Sequence, residues 1–216
     1  MLATIQQTLA QTNTQLVAVS KTKSNAQILE VYRAGVRHFG ENRVQEVVDK
    51  YHQLPKDIHW HFIGHLQTNK VKYIAPFVHL IHSMDSPRII QEVNKQAQKN
   101  DRVIEVLLQF KIAEEATKYG FDWETAVAFL QSPAFAEMNH VRIVGVMGMA
   151  TFTSDETQVS QEFQTLRRFF LDLKADFFQH DDHFQEISMG MSGDYALAIK
   201  EGSTMVRIGS LIFGTR

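Results

Sequence analysis

The stretch SMGMSGDYALAIKEGSTMVRIGSLIFG, residues 188–214, decides the fold of this chain, because it holds a helix-like segment between strand-like segments. The apolar runs EISMGM (186–191) and MVRIGSLIFG (205–214) have strand character, and DYALAIKEG between them is amphipathic. A strand, a helix and a second strand form the repeating unit of parallel α/β proteins. The same unit is therefore expected to recur in the rest of the chain.

Six more apolar runs of strand type precede this stretch, and helix-like segments separate most of them. The eight predicted strands are 16–21, 37–42, 59–66, 80–85, 103–110, 142–149, 186–191 and 205–214. A first helix is predicted near residues 2–12. An open doubly wound sheet fits the same alternation, but LVAVSKTKS after the first strand lacks a glycine fingerprint. We therefore predict an α/β fold, a closed (β/α)8 TIM barrel.

Composition limits the class of protein and its partners. The chain has 216 residues, of which 44% are hydrophobic and 21% charged, so one globular domain over 1–216 is expected. A net charge of -2 argues against nucleic acid as a partner. There is no cysteine, which excludes disulfides and suits a reducing compartment. Because no signal peptide or membrane segment is indicated, we expect a cytoplasmic location.

Polar residues follow several predicted strands, at the end where such barrels place their active face. Lys21 suits carbonyl chemistry, although a lysine that merely reaches solvent explains its position as well. Ser192 lies where a short helix begins, and free N–H groups there bind phosphate. Gly209 either lets the backbone approach that phosphate or serves packing. Arg207, if it points inward, needs an anion, an acceptor nitrogen or a neighbouring carboxylate such as Glu41 or Asp194.

Six motifs occur together and in order. They are AVSKT (18–22), GENRVQE (40–46), WHFIGHLQTNK (60–70), HSMD (82–85), GVMGMAT (145–151) and the stretch 188–214. With these motifs the chain resembles the pyridoxal phosphate homeostasis protein family. The motifs span nearly the whole chain, and the last is long enough to be highly specific.

The resemblance implies a barrel of the alanine racemase type (PLP fold type III) without the β-domain of the racemases. It implies pyridoxal 5'-phosphate (PLP) as the cofactor, held as a Schiff base on Lys21. Ser192 and the backbone of Ile208 and Gly209 would hold the phosphate, and Arg207 would face the pyridine nitrogen. The cofactor-binding residues so implied are Lys21, Asn42, Ser192, Arg207, Ile208 and Gly209.

An arginine at the pyridine nitrogen weakens the ring as an electron sink, which favours binding and storage of the cofactor over catalysis. The expected function is a monomeric, non-enzymatic carrier and regulator of PLP, with PLP-dependent apo-enzymes as recipients and with no catalytic residues. The alternative is a PLP-dependent racemase, whose second acid or base would be Tyr195, His65 or Lys70. A third alternative, a sugar-phosphate enzyme, explains the phosphate loops but not the motifs.

The chain's ten histidines raise the question of a metal site. His59 and His61 alternate on one strand and so share a face, but no third ligand at a convincing spacing accompanies them. No metal is therefore predicted. Two positions depart from the family pattern: Lys111 stands where asparagine is frequent, and His65 stands where proline is often found. The methionines of GVMGMA and SMGMSG are assigned to the barrel core.

Overall fold

The computed structural model describes residues 1–114 and 119–214, and its centre is a closed barrel of eight parallel strands. Each strand pairs with the next along the chain, and β8 pairs with β1. The strands are β1 Gln15–Val19, β2 His38–Glu41, β3 His59–Phe62, β4 Leu80–Met84, β5 Ile104–Gln109, β6 Val141–Met147, β7 Glu186–Ser188 and β8 Met205–Ile208. The predicted barrel and the existence of all eight strands are confirmed.

Helices follow the strands and cover the outside of the barrel. They are α1 Leu2–Thr12, α2 Asn25–Arg33, α3 Val44–Gln53, α4 Val71–Ile74, α5 Pro87–Lys99, α6 Trp123–Leu130, α7 Pro133–Ala136, α8 Glu156–Asp176, α9 Tyr195–Lys200 and α10 Ser210–Phe213. A single 3-10 turn, Thr68–Lys70, precedes α4. Nowhere in the described residues is a helix both long and apolar enough to cross a membrane.

Side-chain caps fix where several helices begin. Ser24 and Gln27 form a reciprocal capping box at α2, and Asp122 and Asp155 accept backbone N–H groups at α6 and α8. These bonds satisfy donors that have no partner within the helix, so each helix starts at a defined residue.

The predicted strand 205–214 is too long. Strand β8 ends at Ile208, and Ser210–Phe213 forms the short helix α10. Three apolar residues in a row, Leu211 to Phe213, fit a strand or a helical turn equally well, so the sequence did not distinguish the two. The first strand is also shorter than predicted, because β1 ends at Val19 and leaves Lys21 in the loop that follows.

The barrel interior is divided between apolar and polar layers. One small cluster of buried apolar side chains joins β1, β4, β5, β6 and β8, and consists of Val17, Leu80, Leu107, Val144, Met147 and Met205. Other buried residues are polar: His61, His82, Ser188 and Arg207 form one hydrogen-bonded series. Burial of such a series costs folding free energy unless every member has a hydrogen-bond partner. Proteins tend to keep costly features of this kind at functional sites, so the series indicates where to expect function.

Candidate cofactor-binding site

A cavity of about 650 Å³ opens at the C-terminal ends of the strands. Of the residues predicted from the sequence, Lys21, Asn42, Ser192, Arg207 and Gly209 line it together. Ile208 does not line the cavity, since its side chain is fully buried in β8. The volume falls within the roughly 300–1,000 Å³ usual for small-molecule sites.

The backbone that carries Lys21 rests on a buried ionic network. Ser20 donates to Glu41 Oε1 over 2.6 Å, and Lys50 donates to the same oxygen over 2.7 Å. Lys50 also donates to the Ser20 carbonyl over 2.8 Å, so α3 is tied to the end of β1. Burial raises the pKa of Glu41, and the charge of Lys50 opposes that rise. Because these bonds fix residue 20, they fix the place from which the half-buried Lys21 side chain starts.

Ser192 and Gly209 form a small polar cradle in the same cavity, next to the end of β1. The Gly209 N–H donates to Ser192 Oγ over 3.3 Å. A Cβ at position 209 would lie 3.2 Å from the Val19 carbonyl oxygen, so a side chain there would crowd the end of β1. Asp194 accepts the Met191 N–H, which holds the loop before α9. The cradle therefore places the Ser192 hydroxyl beside the Gly209 N–H that donates to it, and both residues line the cavity.

Arg207 lies at the inner end of the cavity and is 4% exposed. It donates to Ser188 Oγ over 2.6 Å and to the Gly148 carbonyl over 3.0 Å. Burial lowers the pKa of Arg207 to about 10, and the nearby Asp194 charge works against that fall. Of the two carboxylates considered from the sequence, neither Glu41 nor Asp194 pairs directly with Arg207 in the described residues. Two of its five N–H groups are thus engaged within the barrel, and the guanidinium faces the cavity.

Asn42 reaches the cavity because β2 and β3 approach each other closely beyond their paired residues. A Cβ on Gly64 would lie 2.3 Å from the Asn42 carbonyl oxygen, so only glycine fits there. Asn42 itself is half-buried and lines the cavity wall. Gly64 thus sets the position of Asn42.

Several residues that line the cavity were not assigned to it from the sequence. They are Val19, Ile63, Gly64, His65, Gln109, Tyr119, Met149, Phe152, Met191, Gly193, Asp194 and Ser210. The methionines divide: Met147 and Met189 are buried in the core as predicted, whereas Met149 and Met191 line the cavity. A signal existed for these two, since each is the last residue of a predicted strand with alternating methionines, but alternation alone does not say which one lies beyond the core.

The three residues considered as a second acid or base lie in different places. His65 lines the cavity; its Nδ1 is 2.8 Å from Asp85 Oδ2, and its ring stacks on Tyr119. Tyr195 packs against the hydrophobic core, and Lys70 is exposed outside the cavity. Only His65 of the three is placed to act on a ligand.

Comparison with known proteins identifies the fold class of this chain. Residues 2–216 match the family model described as the N-terminal domain of alanine racemase. The solved alanine racemase of Bartonella henselae superposes with a TM-score of 0.72 at 16% identity, over 97% of this chain and 57% of that one. The fold and the site thus define a barrel of the alanine racemase type, and at this identity the second likeness shows the fold alone.

Closer relatives give the family. The pyridoxal phosphate homeostasis protein of Aquifex aeolicus is 39% identical over 202 residues, which cover 93% of this chain and 86% of the relative. The structure of PipY from Synechococcus elongatus PCC7942 with PLP bound has a TM-score of 0.89 at 35% identity, over 99% and 98% of the two chains. This chain belongs to the family of pyridoxal phosphate homeostasis proteins.

Proposed function

We propose that this chain binds pyridoxal 5'-phosphate in the cavity at the C-terminal ends of the strands and serves as a carrier and regulator of that cofactor. One observation carries the proposal: Lys21, from the start of the chain, lines one cavity with the Ser192–Gly209 cradle and the buried Arg207, from its end. PipY, the relative solved with PLP bound, supports the identity of the ligand.

The residues present fit the chemical groups of PLP. The Lys21 amine would condense with the aldehyde to a Schiff base, with the loss of one water molecule. Ser192 Oγ and the backbone N–H of Gly209, at the end of the strand that carries Ile208, would take the phosphate. The Arg207 guanidinium would lie near the pyridine nitrogen, and Asn42 would contact the ring side of the cavity.

The groups around the pyridine ring favour storage of PLP over catalysis. When bound, PLP would supply an electron sink, which is weaker when its ring nitrogen is not protonated. Arg207 remains charged at neutral pH even with its lowered pKa, so it has no proton acceptor to offer and discourages a proton on that nitrogen. The chain's own residues would therefore hold the cofactor without driving reactions at the bound aldehyde.

The mouth of the cavity suits exchange of a ligand with solvent. Phe152 is 98% exposed and Tyr119 is 59% exposed, and both line the cavity. A ligand can therefore enter and leave without a large movement of the core. We propose PLP-dependent apo-enzymes as recipients, a monomer as the working state and the cytoplasm as its location.

Absorbance and mass spectrometry test the covalent part of the proposal. Protein incubated with PLP should gain the visible absorbance band of an imine, and borohydride should leave a pyridoxyl group on the Lys21 peptide. Lys21→Ala should abolish both signals. Lys23→Ala is the matched control, since Lys23 Nζ donates to the carbonyls of Phe213 and Gly214 and does not line the cavity. An adduct that persists in Lys21→Ala would contradict the assignment.

A racemase is the second candidate, and one observation favours it: His65 lines the cavity with a carboxylate 2.8 Å from its Nδ1. A histidine oriented by Asp85 is a suitable proton acceptor. Exchange of the α-proton of alanine in D2O separates the two functions. If the chain only binds PLP, we expect the unmodified chain to exchange the α-proton no faster than Lys21→Ala does. Exchange that depends on both Lys21 and His65 would favour the racemase.

A further inference from the structure

The opposite end of the barrel carries five histidines from three neighbouring strands. They are His38, His59, His61, His79 and His82. The register places His38 beside His59 in β2 and β3, and His79 precedes β4. A cavity of about 330 Å³ opens there to solvent at the N-terminal ends of the strands. None of these residues lines the cavity that holds Lys21.

We propose that His38, His61 and His79 bind one divalent transition-metal ion of the zinc class at this end of the barrel. One ring nitrogen from each of the three lies within 4.8 Å of the others. A tetrahedral ion with metal–nitrogen bonds of about 2.0–2.1 Å holds its ligands about 3.3 Å apart, so small ring rotations complete the site. The cavity leaves a fourth position for water.

We expect the ion to take the place of the proton that lies between two of these rings. His38 Nδ1 lies 2.8 Å from His61 Nε2, so the two nitrogens now share a single proton. An ion that replaces this proton can be bound by both rings, while His79, whose ring centroid is 5.3 Å from that of His61, supplies the third ligand. The rings are therefore already turned towards a common point.

A histidine that binds a metal through one ring nitrogen usually donates a hydrogen bond from the other, and a partner for that bond is present here. His61 Nδ1 lies 2.8 Å from His82 Nε2, and His82 Nδ1 lies 2.9 Å from Ser188 Oγ. An ion on His61 Nε2 fixes the proton on Nδ1, where it donates to His82. Bonds of this kind orient the ligand ring and raise its basicity. Since Arg207 donates to the same Ser188 hydroxyl, the series continues to the other cavity.

Charge at the site suits a cation. Burial lowers the pKa of His38 to about 4 and lowers the pKa of His61 and His79, so these rings are neutral at pH 7, as metal ligands must be. Glu105 and Glu186 line the same cavity and can offset the charge of the ion. Imidazole with nearby carboxylate favours zinc, nickel or copper over magnesium or calcium.

Competition for zinc tests the proposal on tag-free, full-length protein. With a chromophoric chelator of micromolar affinity as the competitor, we expect one zinc ion per chain, bound at least tenfold tighter than by the double variant His38→Gln/His79→Gln. The matched control is His52→Gln, an exposed histidine on α3, which should bind as the unmodified chain does. Equal binding by the double variant and the unmodified chain would overturn the proposal.

A second measurement does not depend on variants that fold. Cobalt added to the unmodified chain should give the intense visible absorbance of a four-coordinate site, displaced by one equivalent of zinc. Weak absorbance of a six-coordinate ion, or none, would also overturn the proposal. Lys21→Ala should keep the cobalt spectrum, because the cofactor cavity is at the other end of the barrel.

Discussion

The two ends of the barrel use polar side chains in opposite ways. At the C-terminal end, Lys21, Arg207 and Ser192 line a cavity of about 650 Å³ and present charged or donor groups. At the N-terminal end, histidines line a cavity of about 330 Å³, and burial lowers the pKa of His38, His61 and His79, which keeps these rings neutral. One end therefore suits an anionic ligand with an aldehyde, and the other suits a cation.

Ser188 joins the two ends. Its hydroxyl accepts a hydrogen bond from Arg207 and contacts His82, which in turn contacts His61. Because Arg207 can only donate, the direction of the other hydrogen bonds is set by which nitrogen of His61 and His82 carries the proton. The two ends are thus linked by hydrogen bonds. A change in which nitrogen of His61 or His82 carries the proton alters the surroundings of Arg207 at the C-terminal end.

The strongest test of the C-terminal end is Arg207→Met. We expect cofactor affinity to fall by about 1.5–3 kcal/mol, the contribution of a hydrogen bond from a charged donor. The free energy of unfolding of the cofactor-free protein should fall by no more than about 1–3 kcal/mol, because methionine removes a buried charge but leaves the Ser188 hydroxyl and the Gly148 carbonyl without this donor. Equilibrium dialysis with PLP and urea unfolding measure the two effects. A large loss of stability would mean that Arg207 is structural.

Gly64→Ala should break the geometry of the C-terminal end. Its Cβ would lie 2.3 Å from the Asn42 carbonyl oxygen, so the loops must move, at about 1–3 kcal/mol of unfolding free energy. Gly193→Ala is the matched control in the same cavity, because nothing lies within 4 Å of its Cβ, and it should change stability by less than about 0.5 kcal/mol. Equal urea midpoints for the two variants would refute this account.

The N-terminal end should make the fold sensitive to acid. The unfolded histidines take up protons below about pH 6.5, whereas the pKa of His38 is about 4 in the folded chain and those of His61 and His82 are also lowered. The unfolded state then binds more protons, so stability falls as the pH falls from about 6.5 towards 4, by about 1 kcal/mol or more per unit. Urea unfolding with EDTA present measures the slope, and His38→Gln should flatten it. An unchanged slope in that variant would exclude His38 as a source.

Ser192→Ala should have the smallest effect of the four. It removes one hydroxyl from the cradle beside Gly209, which should weaken PLP binding by about 1 kcal/mol, or roughly fivefold. Ser132→Ala is the control, since that side chain caps α7 away from the cavity. Fluorescence titration with PLP compares the two, and identical affinities would show that the hydroxyl does not contact the phosphate.

Much of the C-terminal end was predictable because its residues sit next to strand ends. Lys21 and Asn42 are the last residues of their predicted strands, and a barrel brings such positions to one face. Cavity residues from less regular segments, such as Tyr119 and Phe152, had no comparable signal. Their place depends on how long loops fold over the barrel, which side-chain periodicity does not describe.

The sequence by itself determined the eight strands, their alternation with helices and the face on which Lys21, Ser192 and Arg207 lie, since period, caps and strand ends are local properties. Only the tertiary structure decided that Ser210–Phe213 is helical and that His38, His61 and His79 meet. Residues far apart in sequence become neighbours through strand register, and register is fixed by the packing of the whole barrel.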